Sequence, residues 1–271
     1  MSSGLKAFRA FAEDAGADGF VLVRITETRG SAPREAGAFM AVSANATFET
    51  IGGGTLEFEA IDRARAMLGG AETSDLDWVL GPDSGQCCGG RVKLSFDRIP
   101  ADRTEQVEML VAGEIERYPQ VWIFGGGHVG RALAGFLMAL PVEAHLVESR
   151  EAEIATVPDG VIAHLAAMPE SLVSAIAPGS AIVVLTHDHA IDFLVVEAAL
   201  GRDDLAFIGM IGSKTKRATF ESRYRKEGGD PARLSKLVSP IGRKLDDKRP
   251  EVIAVTIASE LMAAFSGPSP A

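Results

Sequence analysis

Apolar positions along the chain change period several times, and each change marks an element. Leu5, Phe8, Phe11, Ala12 and Ala15 recur at helical spacing over residues 4–16, and Gly16 and Gly19 end the pattern. Phe20-Val21-Leu22-Val23-Arg24-Ile25-Thr26 is a β-rich run. The cluster Gly30-Ser31-Ala32-Pro33-Arg34 then turns the chain, and Ala38 to Val42 reads as the returning strand. Ile51-Gly52-Gly53-Gly54-Thr55 opens a second helix, with Glu57, Ala60, Ile61, Ala64 and Leu68 near a 3.6 period. Trp78-Val79-Leu80 is a short strand, and Val92-Lys93-Leu94-Ser95-Phe96 alternates as a half-buried strand does. Between them lies a long polar loop, Gly81 to Gly90, ending in Cys87-Cys88-Gly89-Gly90. These elements predict a compact α/β or α+β domain over residues 1–98.

A linking segment, residues 99–119, carries a helix over 102–117 through Val107, Leu110, Val111 and Ile115, and ends at Tyr118-Pro119. From residue 120 to 271 the pattern is different. Continuous apolar runs at 121–124, 144–147, 161–165, 181–186 and 205–209 alternate with helix-length segments. Strands covered on both faces need such runs, so the spacing predicts a doubly wound parallel sheet. Ile253, Ile257 and Leu261 stripe a last helix with Pro250 in its first turn, and the tail from Ser266 is expected to fray.

Composition narrows the function classes. A length of 271 residues suits one large or two ordinary domains, and 46% hydrophobic residues suffice for a substantial core. A formal charge of −10 argues against nucleic acid or an anionic membrane as the partner. No stretch approaches the roughly 20 apolar residues of a transmembrane helix. The N-terminus lacks a basic region followed by an apolar run, so no secretory signal is expected. The two cysteines are adjacent, Cys87 and Cys88, which fits a reducing cytoplasm and no disulfide framework.

Four constellations carry candidate chemistry. Val121 to Phe124 runs into Gly125-Gly126-Gly127-His128-Val129-Gly130, in which Gly125, Gly127 and Gly130 fit the G-x-G-x-x-G fingerprint. Glu148 lies 18 residues beyond Gly130 at the end of the second apolar run, where a ribose-binding carboxylate belongs, and Arg150 is a candidate 2′-phosphate contact. His187-Asp188-His189, with Asp192, follows the fourth run of this domain and offers metal ligands, proton carriers or a plain helix cap. Gly209-Met210-Ile211-Gly212-Ser213-Lys214 follows the fifth run. Lys214, Lys216 and Arg217 crowd the first turn of a helix, where the dipole favours acids, so a bound phosphate is expected there. The loop is not a Walker A sequence, because the four-residue insert between its glycines is missing. Cys87 and Cys88 sit among Gly81, Gly85, Gly89 and Gly90, and Arg91 stands near enough to favour a thiolate. Sulfur transfer, soft-metal ligation and a redox switch all fit.

These motifs together resemble the XdhC/CoxI family. Gly30 to Arg34, Gly52-Gly53-Gly54-Thr55-Leu56-Glu57 and Gly85-Gln86-Cys87-Cys88-Gly89-Gly90-Arg91-Val92 are similar to its first domain. Phe124 to Gly130, Thr186 to His189 and Gly209 to Lys214 are similar to its Rossmann domain. The resemblance runs from about residue 5 to 265. The Gln86-Cys87-Cys88-Gly89-Gly90 form, with Thr55 where many relatives have cysteine, is similar to the xanthine dehydrogenase accessory branch rather than to the carbon monoxide dehydrogenase branch. The resemblance implies a chaperone that binds molybdenum cofactor, a molybdopterin with one phosphate. Such a protein holds the cofactor while an L-cysteine desulfurase helps exchange an oxo for a sulfido ligand, and delivers it to apo xanthine dehydrogenase. Molybdenum cofactor biosynthesis proteins would be further partners, and a homodimer is expected. On this reading Cys88 is the expected molybdenum ligand. Cys87, Gly89, Gly90, Arg91, the Gly125–Gly130 loop, Glu148, His187, Asp188, His189, Gly212, Ser213, Lys214, Lys216 and Arg217 complete the expected cofactor-binding set. Two other readings compete: an NAD(P)-dependent oxidoreductase, and a pterin-modifying transferase.

Overall fold

The structure, a computed structural model, describes residues 3–72, 75–81 and 89–267. The chain divides into two compact units, Met1–Glu114 and Ile115–Ala271.

The first unit is built on a five-stranded antiparallel sheet. Its elements are α1 (Ser3–Ala15), β1 (Phe20–Arg29), β2 (Phe39–Val42), β3 (Thr47–Glu49), α2 (Gly54–Leu68), β4 (Leu76–Val79), β5 (Arg91–Ile99) and α3 (Thr104–Ile115). Strand order is β3-β2-β1-β5-β4. Alternation in β1 divides its side chains between two covers. Val21, Val23 and Ile25 pack with Leu56, Ala60 and Ala64 of α2. Phe20 turns the other way, edge-on to Phe8 and Phe11 of α1 at 6.0 and 5.4 Å. The pairing of β1 with β5 then shifts by one residue between Ile25 and Glu27. This bulge turns Glu27 and Arg29 onto the face away from the α2 core, while Thr28 pairs with Val92 of that core.

The second unit has a six-stranded, wholly parallel sheet in the order β11-β10-β9-β6-β7-β8. Its strands are β6 (Gln120–Phe124), β7 (Glu143–Glu148), β8 (Ile162–Leu165), β9 (Ala181–Val184), β10 (Phe207–Met210) and β11 (Leu237–Val238). Its helices are α4 (His128–Leu137), α5 (Glu151–Ile154), α6 (His189–Leu200), α7 (Lys214–Lys226) and α8 (Pro250–Phe265). Counted within the unit this is the Rossmann order 3-2-1-4-5-6, with its switch point between β6 and β9. One face packs Val121, Ile123 and Val183 against α4 and α8. The other packs Phe124, Ile182 and Val184 against Val196 of α6 and Phe220 of α7. The crossover from β8 to β9 holds a short 3-10 helix, Pro169–Ala175, where the spacing predicts a full helix.

Candidate functional site

In the second unit the glycines of the β6–α4 loop divide three tasks. Gly125 has φ 117°, and a Cβ there would lie 2.6 Å from the Leu185 carbonyl oxygen and 2.8 Å from the Thr186 nitrogen. Its bareness lets the loop cross the end of β9 at the switch point. A Cβ on Gly130 would lie 1.9 Å from the Gly125 oxygen, so Gly130 seats α4 on the loop. Gly127, the N-cap of α4, faces open space, as close approach by a ligand requires. His128 is exposed in the first turn, whereas Val129 packs against the α4–α8 core and serves structure.

Glu148 ends β7 where a ribose carboxylate belongs, but its oxygens are already occupied. Gly126 N–H donates to Oε2 at 2.9 Å, and Ser149 and Arg150 N–H donate to Oε1 at 2.8 and 3.1 Å. The Arg150 guanidinium closes over both oxygens, Nη2 to Oε2 at 2.8 Å and Nε to Oε1 at 3.1 Å. Burial alone would raise the carboxyl pKa. The bonds from Arg150 and from the three backbone N–H groups outweigh it and bring it down to about 2. Glu148 therefore locks the glycine loop to β7 and has no free lone pair for a diol, contrary to the ribose role expected of it. A crevice of about 10 Å³, room for about one water, remains between Gly125, Glu148, Ser149, Thr186 and His187.

The Thr186–His189 turn is shaped by capping. Asp188 is the N-cap of α6 and accepts the Ala190 N–H at 2.7 Å. His187 borders the crevice, while His189 lies stacked on Phe193 at 6.3 Å between centroids. Among the described residues no group of three or more His, Cys, Asp or Glu is placed to hold a metal. Asp192 leaves the constellation altogether. It is fully buried and receives Lys216 Nζ on one oxygen and the N–H and hydroxyl of Thr186 on the other, at 3.1 and 2.7 Å.

That pairing corrects the anion reading of the α7 turn. Lys216 Nζ also donates to the Ile211 carbonyl at 2.9 Å, and Gly212 is bare where the lysine stem passes. Arg217 donates to Glu221 at 2.8 Å and to the Ser239 carbonyl at 2.9 Å. Lys216 and Arg217 are thus compensated by the protein itself, whereas Lys214 is exposed. Ser213 caps α7 through the Lys216 N–H at 3.1 Å. The turn is also one strand removed from the glycine loop, because β9 lies between β6 and β10.

In the first unit, three motifs distant in sequence meet. A Cβ on Gly52 would lie 2.5 Å from Pro33 Cβ, so the Gly52–Gly54 loop rests on the Gly30–Arg34 turn. Ser31 pairs with Gly89, and a Cβ on Gly90 would lie 2.1 Å from the Ser31 oxygen. The glycine loop is held from behind by Glu57, which accepts Ile51 and Gly53 N–H at 3.1 and 3.0 Å and the Thr50 hydroxyl. Among the described residues, nothing lies within 4 Å of where a Cβ on Gly53 or Gly89 would stand. Cys87 and Cys88 lie outside the described residues. Arg91 pairs with Asp77 through two bonds, Nε and Nη2, at 2.5 and 2.6 Å, so the guanidinium expected to favour a thiolate lies against an exposed carboxylate.

An antiparallel unit followed by a Rossmann unit whose Glu148 carboxylate is sealed defines a two-domain class of protein. Family models agree: one described as the XdhC Rossmann domain matches residues 121–261, and one described as the XdhC and CoxI family matches residues 15–77. The chain belongs to the XdhC family. It is 22% identical over 260 residues to the uncharacterized protein YqeB of Escherichia coli (strain K12), across 90% of this chain and 43% of YqeB. The chain thus spans less than half the length of that relative. A solved structure, a xanthine dehydrogenase from Bacillus halodurans, shares the fold with a TM-score of 0.78 at 17% identity, over 99% of this chain and 97% of that one.

Proposed function

We propose that the protein is a carrier for molybdenum cofactor that serves a xanthine dehydrogenase. It holds the cofactor during sulfuration, with an L-cysteine desulfurase as sulfur source, and passes it to the apoenzyme in the cytoplasm. Membership of the XdhC family supports this reading, and a fold relative bears the name xanthine dehydrogenase. The observation that carries it is the meeting of the Gly30, Gly52 and Gly89 motifs at one place in the first unit, with backbone bare at Gly53 and Gly89. Thiolate from Cys88, beside Gly89, is a soft ligand suited to molybdenum and the nucleophile suited to sulfur exchange. The sealing of Glu148 counts against an NAD(P)-dependent oxidoreductase, since the diol acceptor of that chemistry is already used.

The test is direct. The protein is purified from cells that make the cofactor and denatured, and the released small molecule is identified by its absorbance and fluorescence. A pterin is expected. Cys87→Ala and Cys88→Ala are then compared for bound molybdenum and for sulfido content, with the larger loss expected at Cys88. Release of a nicotinamide nucleotide, or full pterin and sulfido content in both variants, would overturn the reading.

A further inference from the structure

Glu27, Arg29, Asp77, Arg91 and Lys93 line a cavity of about 100 Å³, room for a few waters or one tetrahedral oxyanion. We propose that this basin binds the oxyanion of a phosphate monoester, which under the carrier reading is the phosphate of the pterin.

Sheet register makes the basin. Glu27 stands opposite Lys93, Arg29 opposite Arg91, and Lys93 opposite Asp77. All five therefore share the face away from the α2 core, where Val92 and Leu94 point. Glu27 and Arg29 reach that face only because of the bulge between Ile25 and Glu27. In unbroken register they would share the face of Ile25. Bulges of this kind re-aim side chains and recur beside functional sites.

The charges do not balance among themselves. Three cations face two carboxylates. Glu27 is divided between Arg29 at 2.5 Å and Lys93 at 2.7 Å, while Asp77 is taken up by Arg91. Arg29 and Arg91 are directly opposed across the strands, and like charges so placed destabilise a sheet. Both carboxyls are held below their usual range, Glu27 by Lys93 and then Arg29, Asp77 by Arg91, so both stay ionised at neutral pH and the basin keeps its single excess positive charge. Guanidinium forks match phosphate oxygens in geometry as well as charge. A self-contained surface ion-pair network would contribute little to stability, and it would give no reason for opposing two arginines. The location fits too: Arg29 immediately precedes Gly30 and Arg91 immediately follows Gly90, so the basin adjoins two of the three converging motifs.

The full-length protein is titrated with inorganic phosphate and, separately, with a pterin phosphate monoester. Binding is followed by calorimetry and by the arginine Nε–H resonances. Saturable shifts at Arg29 and Arg91 are expected, with the monoester bound more tightly. Arg29→Gln with Arg91→Gln should weaken both ligands about tenfold or more, the loss of charge-assisted bonds. Glu27→Gln should tighten both, because it removes a competing carboxylate, and this sign separates a ligand site from a merely structural cluster. Unchanged affinity in the double variant, or weaker binding in Glu27→Gln, would overturn the site. Equal affinity for the two ligands would overturn the pterin assignment in favour of free phosphate. Absence of phosphate binding by the wild-type protein, with molybdenum cofactor still bound, would sink the basin and leave the carrier reading standing. Phosphate binding at the basin with no affinity for the cofactor would do the reverse.

Discussion

The ammonium of Lys216 reaches back from the first turn of α7 to the buried carboxylate of Asp192 in the first turn of α6. Through its other oxygen Asp192 holds the Thr186 N–H and hydroxyl, so one ion pair ties the ends of β9 and β10 together at the rim of the Rossmann crevice. A cation in a helix first turn is unfavourable by the dipole alone. Here a neutralising acid from the neighbouring helix offsets it.

The first prediction concerns that pair. Breaking a buried pair from one side leaves an uncompensated charge and costs about 3–5 kcal/mol, whereas replacing both partners with apolar groups of similar size is often near neutral. Lys216→Met and Asp192→Leu should each lower the urea midpoint strongly, and the double variant should recover most of the loss. Additive losses in the double variant would mean that the two groups do not act as a pair.

A second prediction uses two glycines of the same helix. Ala at Gly130 would place its Cβ 1.9 Å from the Gly125 oxygen, a clash with backbone that only a shift of α4 relieves. A destabilisation of about 3 kcal/mol or more is expected. Gly135 lies exposed in α4 with open space around it, and Gly135→Ala should stabilise by about 1 kcal/mol through helix propensity. Thermal melts of the two variants should therefore move in opposite directions.

Most of the second unit is legible in the sequence because its inner strands, covered on both faces, are near-continuous apolar runs, although His145 interrupts β7, and β8, with His164, is a largely exposed edge strand. The Gly125, Gly127 and Gly130 spacing is legible for the same kind of reason, since each position is fixed by a local clash or approach. β3 and β11 are not. Thr47–Glu49 is three residues long with a single apolar side chain, Phe48, and Leu237–Val238 is two residues long. Asp192 and Lys216 are 24 residues apart, and only the packing of α6 beside α7 reveals them as partners. The alternation of Glu27 with Arg29 and of Arg91 with Lys93 is visible in the chain. The bulge that puts both pairs on one face is set by strand register and is not. The sealing of Glu148 is likewise hidden, because a ribose carboxylate and a loop lock occupy the same position in the pattern.

The last prediction rests on that lock and has a defined pH window. The carboxyl of Glu148 titrates at about 2 in the folded chain, against 4.5 for the free side chain. A depressed pKa means that the folded state prefers the ionised form, so the stabilisation is fully present above pH 4.5 and is lost as pH falls from there towards 2. The span corresponds to about 3 kcal/mol at most, since each unit is worth about 1.4 kcal/mol and the Arg150 side of the site is open to solvent screening. Other carboxylates, Asp77 and Glu221 among them, are depressed by arginines as well, so the wild-type curve alone does not isolate Glu148. The difference between wild type and Glu148→Gln does. The amide cannot carry the charge that Arg150 and the Gly126 N–H favour, so Glu148→Gln should be less stable near pH 7, and the gap should close on acidification below pH 4.5. The same variant tests the sealed site from the ligand side. With both oxygens already occupied, wild type should show no saturable enhancement of NADH fluorescence, and releasing Arg150 in Glu148→Gln should not create one. A gap that stays constant down to pH 3 would mean that the lock is steric and not electrostatic. Tight NADH binding by wild type, abolished in Glu148→Gln, would mean that the carboxylate opens to a ribose after all.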